Sequence, residues 1–428
     1  MLYSLYEWNR AAFTPLHVAA ATQSALLRNP FNPAGETPFG RAAAAAGQLV
    51  ESVTRRYRKP EWNLPSTPIN GVDVGVKAQV IWSSPWCSLV HFRRAPEGLR
   101  AAGSAGKDPR VLIVAPLSGH YATLLRGTIE AFLPDHEVYV TDWADARMTP
   151  IVLGRFDLHD YIDHLRVMLR KIGPGAHTVA VCQPGPAVLA AISLMAQEGD
   201  PALPASMSYM GSPIDARRSP TVPNKLAMER PFAWFQENMV HTVPPVYPGA
   251  LRQVYPGFIQ LASFMGMNLD RHVSAHWEYF EHLVKDDGDS AIKHREFYDE
   301  YLSVMDLTEE FYLQTIKDVF QEFTLARGMF QHRGLLVRPQ AITDVALMTV
   351  EGENDDISGI GQTQAAHDLC AGLPQSMRID YVQADVGHYG VFNGRRFRTE
   401  IYPRMRAFIR QFERLDAGHA PRRVKARA

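Results

Sequence analysis

The sequence predicts an α/β fold in which a mostly parallel sheet is flanked by helices and interrupted by a largely helical insertion. Between residues 110 and 212, short apolar runs alternate with helix-like stretches, which is typical of βαβ units. The stretch from 213 to 335 breaks that rhythm and is rich in proline, aromatic residues and methionine. With 428 residues, 46% of them hydrophobic, the chain is long enough to bury a large core.

The first strands are expected early in the chain, after a helical start. Residues 1–60 look helical in large part, and five consecutive alanines at 42–46 are strong helix formers. Residues 72–80 place apolar side chains at the even positions, and a second run at 87–92 follows after a turn. This alternation predicts two antiparallel strands at the beginning of the sheet.

We expect four segments along the chain, and their bounds follow from these composition changes. They are the N-terminal helices with the first part of the core at 1–212, a helical lid at 213–335, the rest of the core at 336–414 and a disordered basic tail at 415–428.

The turn at Cys182 is the most informative local feature. An apolar run at 177–181 leads into Cys182, and the chain then turns through Pro184 and Gly185 into a helix-like stretch. A strand, a sharp turn and a helix with the nucleophile at the turn form the nucleophile elbow of α/β-hydrolases, here with sulfur in place of serine oxygen. The first N–H groups of such a helix favour a thiolate and a developing oxyanion. A buried structural cysteine is the alternative interpretation.

Two later sites supply an acid and a base. An apolar run at 345–350 leads to an acidic cluster with Asp355, and a run at 378–382 leads to a loop with His388. The chain order nucleophile, acid, histidine is that of α/β-hydrolases, in which the base removes the proton of the nucleophile and the acid orients the base. We therefore expect a triad of Cys182, Asp355 and His388. An ordinary loop histidine is the alternative for His388. Other carboxylates compete for the role of the acid, namely Asp356, Glu353 and Asp215.

An oxyanion hole is expected next to Cys182. In this fold one N–H comes from the residue after the nucleophile, here Gln183, and the second comes from the loop after an early strand. The apolar run at 111–115 ends in such a loop, so Leu117 or Ser118 is the candidate for the second donor.

Composition excludes several classes of function. A formal net charge of −1 argues against nucleic acid as the main partner. The three cysteines, Cys87, Cys182 and Cys370, form neither a disulfide framework nor a zinc spacing, which indicates a reducing compartment. No apolar run is long enough to span a bilayer, and charged residues interrupt any signal-peptide core near the N-terminus. A cytoplasmic location without a metal or a required cofactor is therefore expected.

The aromatic residues of the predicted lid are candidates for a substrate groove. A groove for an uncharged chain would be apolar and adaptable, although packing of the lid on the core explains most such residues equally well. The residues are Phe232, Trp234, Phe235, Tyr247, Tyr255, Phe258, Phe264, Met265, Met267, Trp277, Tyr279 and Phe280. No individual substrate-binding residue is assigned from sequence.

Over nearly its whole length, the chain resembles the intracellular poly(3-hydroxybutyrate) depolymerases. The resemblance is carried by Val-Cys-Gln-Pro at 181–184, by Gly-Glu-Asn-Asp-Asp-Ile at 352–357 and by Gly-His-Tyr-Gly at 387–390. It implies a Cys-Asp-His triad at Cys182, Asp355 and His388 on an α/β-hydrolase fold. It also implies amorphous polyester granules as the partner, in the cytoplasm.

The mechanism expected from these residues is acyl transfer through an acyl-cysteine, with release of 3-hydroxybutyrate or its oligomers. Coenzyme A stays an alternative to water as the acyl acceptor, and association with further copies of the chain stays open. A polyester-synthase-like acyltransferase, a soluble esterase or thioesterase, and a non-catalytic granule-binding protein are the alternatives. Ala180 and Pro184 argue against the synthase, because a synthase elbow would normally carry glycine at both positions.

Overall fold

The computed structural model describes residues 2–104, 106–267, 269–285 and 287–413, so the predicted basic tail lies outside the described residues. Within these residues the strands are β1 Ser66–Ile69, β2 Val72–Ser83, β3 Cys87–Arg94, β4 Arg110–Val114, β5 Glu137–Trp143, β6 His177–Val181, β7 Ser206–Met210, β8 His241–Thr242, β9 Gln253–Tyr255, β10 Leu307–Thr308, β11 Gln331–His332, β12 Leu335–Leu336, β13 Ala346–Gly352 and β14 Arg378–Gln383.

The α-helices alternate with the strands in the core and predominate in the insertion. They are α1 Leu2–Leu27, α2 Pro38–Thr54, α3 Pro96–Ala101, α4 Arg126–Phe132, α5 Leu158–Ile172, α6 Gly185–Glu198, α7 Val222–Glu229, α8 Phe232–Met239, α9 Gly257–Met267, α10 Leu269–Lys285, α11 Gly288–Tyr301, α12 Glu309–Thr315, α13 Ala365–Leu369, α14 His388–Phe392, α15 Gly394–Arg396 and α16 Tyr402–Gln411. One π-helical turn, Ile316–Gln321, continues α12, and another, Phe397–Ile401, precedes α16.

Nine strands form the central sheet, in the order β1-β2-β3-β5-β4-β6-β7-β13-β14. The neighbours from β5 to β14 pair in parallel, and the three pairs that join β1, β2, β3 and β5 are antiparallel. Strands β4, β6, β7 and β13 are central, and their C-terminal ends meet at one edge of the sheet. This arrangement confirms the predicted α/β-hydrolase fold, and it places the ends of β6 and β13 close together.

Both faces of the sheet are covered, which explains why β4 reads as a continuous apolar run. Leu112 and Val114 pack into one hydrophobic cluster with side chains of α5 and α6. Val111 and Ile113 point the other way and pack with side chains of α4 and α16. Because successive side chains of a strand point to opposite faces, a strand with helices on both sides must be apolar at every position.

The start of the chain forms the predicted helices, α1 and α2, and the predicted antiparallel pair, β2 and β3. The inward alternation of β2 holds only in its first half, where Val74 is fully buried. Val80, predicted to face inward, is 56% exposed. Every residue from Lys77 to Ile81 is exposed, so this part of β2 lies beyond the core on both faces of the sheet, and the register of β2 against β3 shifts near its end, between Val80 and Trp82.

The insertion between β7 and β13 is largely helical, as predicted. It contains α7 to α12 and a small antiparallel sheet of β8, β9 and β10. An antiparallel bridge between His120 and Val304 joins it to the loop after β4, and this bridge includes the hydrogen bond from Met305 N–H to Gly119 O at 2.7 Å. The insertion therefore lies directly on the loop that was predicted to supply an oxyanion donor.

Candidate active site

Cys182 lies at the turn between β6 and α6. Strand β6 is buried throughout, and Cys182 has a φ of +66°, in the left-handed region that non-glycine residues seldom adopt. Its N–H donates to Met210 O at 2.8 Å, which holds the turn against the end of β7. A Cβ on Gly185 would lie 2.4 Å from Cβ of Ser212, so glycine lets α6 start close to the neighbouring loop. The strained turn presents the half-buried sulfur at the edge of the sheet.

His388 is the first residue of the short helix α14, after β14, and is 4% exposed. Its Nδ1 lies 2.8 Å from Oδ2 of Asp355, and its side chain also hydrogen-bonds Cys182. The imidazole therefore connects the carboxylate to the sulfur, with Nδ1 on the side of Asp355. Gly211 permits this close packing, because a Cβ there would lie 3.1 Å from Cε1 of His388.

The carboxylate of Asp355 is fixed by the backbone of its own loop. Its Oδ1 accepts hydrogen bonds from the N–H groups of Ile357 and Ser358, at 2.9 and 2.8 Å. Its Oδ2 is left for His388, and its side chain is fully buried. A carboxylate held in this way can orient an imidazole and stabilise its positive charge.

The pKa of His388 is raised well above its ordinary value. Burial alone would lower this pKa, but the charges of Asp355 and Cys182 and hydrogen bonds to both side chains raise it by more. The protonated imidazole is thus favoured in the buried site. A neighbouring positive charge stabilises a thiolate, which is the reactive form of cysteine.

The other carboxylates weighed from sequence lie elsewhere. Asp215 pairs with Arg217 at 2.7 Å, and although burial would raise its pKa, hydrogen bonds and charge from Arg217 and the charge of Arg218 lower it. Glu353 Oε2 accepts the N–H of Asp385 at 2.9 Å. Asp356 is exposed on the same loop as Asp355. Among these groups, Asp355 is the carboxylate in hydrogen-bond contact with His388.

The loop after β4 places Leu117 and Ser118 beside Cys182, and all three residues line one cavity. The backbone N–H of Leu117 donates to Oε1 of Gln183 at 3.2 Å. The side chain of Gln183 thus occupies the Leu117 donor in this structure, a contact that the sequence did not indicate. For Leu117 N–H to bind an oxyanion, the Gln183 carboxamide must first turn away.

The cavity beside Cys182 has a volume of about 190 Å³ and reaches from the sheet edge to the insertion. Its wall is rich in phenylalanine and tyrosine side chains, namely Tyr255, Phe264, Phe311, Tyr312, Phe320, Tyr389 and Phe392. Of the aromatic residues that the sequence singled out, Tyr255 and Phe264 line this cavity, whereas Trp277 is 62% exposed on the surface. An apolar pocket of this kind suits an uncharged substrate.

Several polar residues of the cavity wall were missed from sequence, among them Gln260, Thr315 and Ser358. Gln260 and Thr315 come from α9 and α12 of the insertion, and Ser358 follows Asp355. Nothing in the local sequence marks Gln260 or Thr315, because each lies within a helix whose orientation depends on tertiary packing. Ser358 could have been predicted from sequence, because it is three residues from the predicted acid.

Two further features concern metals and membranes. In the described part of the chain, no group of three or more His, Cys, Asp or Glu side chains is placed to hold a metal ion. None of the helices found there combines the length and apolar character needed to cross a bilayer.

The three cysteines are all free thiols, and Cys87 and Cys370 are buried away from the cavity.

Comparison with solved structures finds hydrolases at low sequence identity and with TM-scores below 0.5. A soluble variant of monoglyceride lipase from Saccharomyces cerevisiae is 9% identical, with 79% of this chain and 96% of that chain covered and a TM-score of 0.46. A monoacylglycerol lipase from Paleococcus ferrophilus is 11% identical, with 71% and 96% covered and a TM-score of 0.41. A 2-hydroxy-6-oxo-6-phenylhexa-2,4-dienoate hydrolase from Rhodococcus is 12% identical, with 79% and 99% covered and a TM-score of 0.40. Comparison with curated protein sequences finds no match.

A family match covers the second half of the molecule. Residues 211–413 match the model described as PHB de-polymerase C-terminus, where PHB is poly(3-hydroxybutyrate). The matched segment contains the helical insertion, Asp355 and His388, and it begins after the Cys182 turn. Over residues 211–413, nearly half of its length, the chain is similar to the C-terminal part of PHB depolymerases.

Proposed function

We propose that this protein cleaves the ester bonds of amorphous poly(3-hydroxybutyrate) through an acyl-cysteine on Cys182. The match of residues 211–413 to the PHB depolymerase model and the α/β-hydrolase fold support ester hydrolysis in general. The observation that carries the specific proposal is the contact series from Asp355 through His388 to Cys182 at the wall of an apolar cavity. A polyester of this kind offers methyl groups and ester carbonyls and carries no charge along its backbone, which suits that wall.

In the acylation step, His388 accepts the proton of Cys182 and the thiolate attacks an ester carbonyl carbon. The carbonyl oxygen becomes an oxyanion, which backbone N–H groups of Gln183 and of Ser118 or Leu117 would stabilise. The C–O bond then breaks, and the proton on His388 goes to the departing 3-hydroxyl end. The products are an alcohol and a thioester on Cys182.

In the deacylation step, His388 removes a proton from water, and the hydroxide attacks the thioester carbonyl. The C–S bond breaks, the sulfur leaves as thiolate or regains the proton from His388, and a carboxylic acid is released. With coenzyme A as the acceptor, its thiol would take the place of water and the product would be hydroxybutyryl-CoA. Either course leaves the enzyme unchanged.

The test is product analysis with native amorphous granules, with and without coenzyme A. Wild type is expected to release 3-hydroxybutyrate or its oligomers, and Cys182→Ala is expected to release none. Cys370→Ala is a matched control, because Cys370 is buried away from the cavity, and it is expected to keep activity. Full activity of Cys182→Ala would overturn the acyl-cysteine mechanism. Hydroxybutyryl-CoA formed only in the presence of coenzyme A would assign a thiolytic reaction.

A polyester-synthase-like acyltransferase is the second candidate, because a sulfur nucleophile is well suited to thioester exchange. Incubation of the enzyme with hydroxybutyryl-CoA distinguishes the two directions. Polymer formation would favour the synthase, and absence of polymer would argue against it. A soluble esterase or thioesterase would instead turn over short esters and leave granules intact.

A further inference from the structure

A second cavity, with a volume of about 560 Å³, lies between the two N-terminal helices and the insertion. Its walls come from the first half of α1, from the end of α2 with the residues that follow it, and from the insertion, which contributes Leu302 and Val304. Val304 forms the bridge with His120, and His120 lines the cavity beside Cys182. The two cavities are therefore neighbours, but they share no lining residue.

This second cavity is polar at one end and apolar at the other. The residues of α1 that line it are polar or charged at 6–10 and apolar at 13–16. On α2 and just after it, the lining residues are apolar at 50–53 and polar or charged at 54–57. Because α1 and α2 run antiparallel, the two polar segments lie together, and so do the two apolar segments.

The apolar end leaves hydrophobic surface uncovered. Phe13 and Leu16 line the cavity and are 47% and 48% exposed. From residue 11 to residue 27, α1 contains no Asp, Glu, Lys or Arg. A ligand chain that runs along α1 from Arg10 towards Leu16 therefore meets an apolar wall without further charge, and its contact with that wall is favoured by burial of apolar surface.

Arg10 stands at the polar end, and it forms no ion pair within the described residues. Its Nη1 donates to the hydroxyl of Tyr6 at 2.5 Å, and its Nη2 donates to the backbone carbonyl of Arg55 at 2.7 Å. These two bonds orient the guanidinium group but use only two of its five N–H donors. The guanidinium is thus held in the cavity wall with donors left for an anion.

The other charged side chains that line the cavity are already paired. Each of the other three arginines contacts a carboxylate at 2.8–3.3 Å, namely Arg55 with Glu51, Arg56 with Glu7 and Arg147 with Asp145. Among the described residues of the wall, Glu7 is the one carboxylate, and Arg56 balances its charge. The positive charge of Arg10 is therefore the one that the wall leaves uncompensated.

We propose that this cavity binds an amphipathic carboxylate, with the carboxylate on Arg10 and an uncharged chain along Phe13, Leu16 and Val53. A guanidinium matches the geometry of a carboxylate and can donate two parallel hydrogen bonds to it. The volume of the cavity lies in the range of small-molecule sites. Fatty acids and the acids released from a polyester share this chemistry. The site is separate from Cys182 and does not depend on the proposed hydrolysis.

The experiment is isothermal titration calorimetry on the full chain carrying Cys182→Ala, which prevents turnover. The ligands are octanoate, octylamine, and the linear trimer of 3-hydroxybutyrate with a free carboxylate or as its methyl ester. Both carboxylates are expected to bind, and octylamine and the methyl ester are expected to bind at least about tenfold more weakly, because they lack the partner for a charged hydrogen bond. From butanoate to octanoate, affinity is expected to rise about two- to fourfold per methylene.

Variants of the cavity wall locate the binding. Arg10→Gln is expected to weaken octanoate binding by at least about tenfold, whereas Arg10→Lys keeps the charge and is expected to stay within about fivefold of the parent. Val53→Ser is expected to weaken binding of octanoate more than that of butanoate. Arg100→Gln is the matched control, because Arg100 is exposed on α3 and lines neither cavity, and it is expected to leave binding unchanged.

The outcomes are distinct from those of the granule assay, because the readout is binding. Arg10-dependent binding of either carboxylate would support the site, and the tighter ligand would identify the source of the carboxylate. Absence of binding by both carboxylates, equal binding of octylamine and octanoate, or equal affinities in Arg10→Gln and Arg100→Gln would each overturn it. Failure of the protein to cleave granules would leave this site standing.

Discussion

Asp355 and Asp356 are neighbours in the chain but lie in different environments. Asp355 is buried and 2.8 Å from His388, whereas Asp356 is exposed. We expect Asp355→Asn to lower kcat for a soluble ester by about 10³–10⁴-fold, because a carboxamide fails to hold the reactive tautomer of the imidazole and to stabilise its charge. The measurement is steady-state kinetics on the p-nitrophenyl ester that wild type cleaves best.

The adjacent substitution Asp356→Asn is the control for that change. It removes the same charge one residue away, and we expect kcat to stay within about threefold of wild type, because an exposed charge is screened by water. If Asp356→Asn were as inactive as Asp355→Asn, the geometry would not identify the acid. Melting temperatures of both variants show whether either loss reflects unfolding.

At the residue scale, the sequence predicts that the nucleophile, the acid and the histidine lie close together. It does not predict every hydrogen-bond partner in the site. Cys182 and Asp355 follow apolar runs and His388 follows a further predicted strand. Because parallel strands bring their C-terminal ends to one edge, the proximity of the three residues was predictable. Choosing among four carboxylates required the loop geometry. The contact between Gln183 Oε1 and Leu117 N–H was not predictable, because it joins two loops through one side-chain rotamer.

At the scale of single elements, Glu351 near the end of β13 anchors the loop that carries Asp355. This carboxylate is 1% exposed and accepts three backbone N–H groups, from Gly361 at 2.8 Å, Thr363 at 2.7 Å and Gln364 at 3.0 Å. The loop between β13 and α13 therefore closes on a buried acid. The sequence pattern placed Glu351 at the end of an apolar strand without indicating that its side chain turns inward.

We expect Glu351→Gln to destabilise the fold by about 1–3 kcal/mol, because the amide nitrogen replaces one acceptor and faces buried N–H donors. Urea unfolding monitored by circular dichroism measures this change. Glu353→Gln is the matched control two residues away, where the carboxylate is exposed and accepts one N–H from Asp385, and its effect is expected to stay within about 0.5 kcal/mol. An equal loss in both variants would contradict the anchoring role of Glu351.

The sequence predicts secondary-structure elements correctly where the hydrophobic pattern is long, and it misses them where the pattern is short. The parallel strands β4, β6 and β13 each lie in a largely apolar run bounded by turns, and helices cover both faces of the sheet. The small sheet of β8, β9 and β10 has two or three residues per strand, too few for an alternating pattern. Its strands form because the insertion folds back on itself, which local sequence does not reveal.

At the scale of the whole molecule, one buried polar cluster joins three distant parts of the chain. The hydroxyl of Tyr3, in α1, donates to Oδ2 of Asp306 at 2.6 Å, and Gly257 N–H, at the start of α9, donates to Oδ1 at 2.9 Å. Asp306 N–H donates to Oδ1 of Asp145, which follows β5 and pairs with Arg147 at 2.8 Å. The N-terminal helix, the core and the insertion are thus connected through Asp306.

Asp306 makes the stability of this assembly depend on pH. Burial and the neighbouring charge of Asp145 raise its pKa to about 7, although Arg147 acts in the opposite direction. The folded protein therefore holds this proton more tightly than the unfolded chain, so the contribution of Asp306 to stability is full below pH 4 and decreases as pH rises towards 7. For one proton the slope cannot exceed about 1.4 kcal/mol per pH unit.

Asp306→Asn tests this dependence, because a carboxamide keeps an acceptor for Gly257 N–H and does not titrate. We expect the stability of wild type relative to Asp306→Asn to fall between pH 4.5 and 7 and to be constant from pH 8 to 9, as measured by urea unfolding at each pH. Direct comparison of the two proteins cancels the other titrating groups that they share. A difference between wild type and variant that does not change with pH would show that Asp306 is ionised throughout, and that Arg147 and the hydrogen bonds from Tyr3 and Gly257 outweigh its burial.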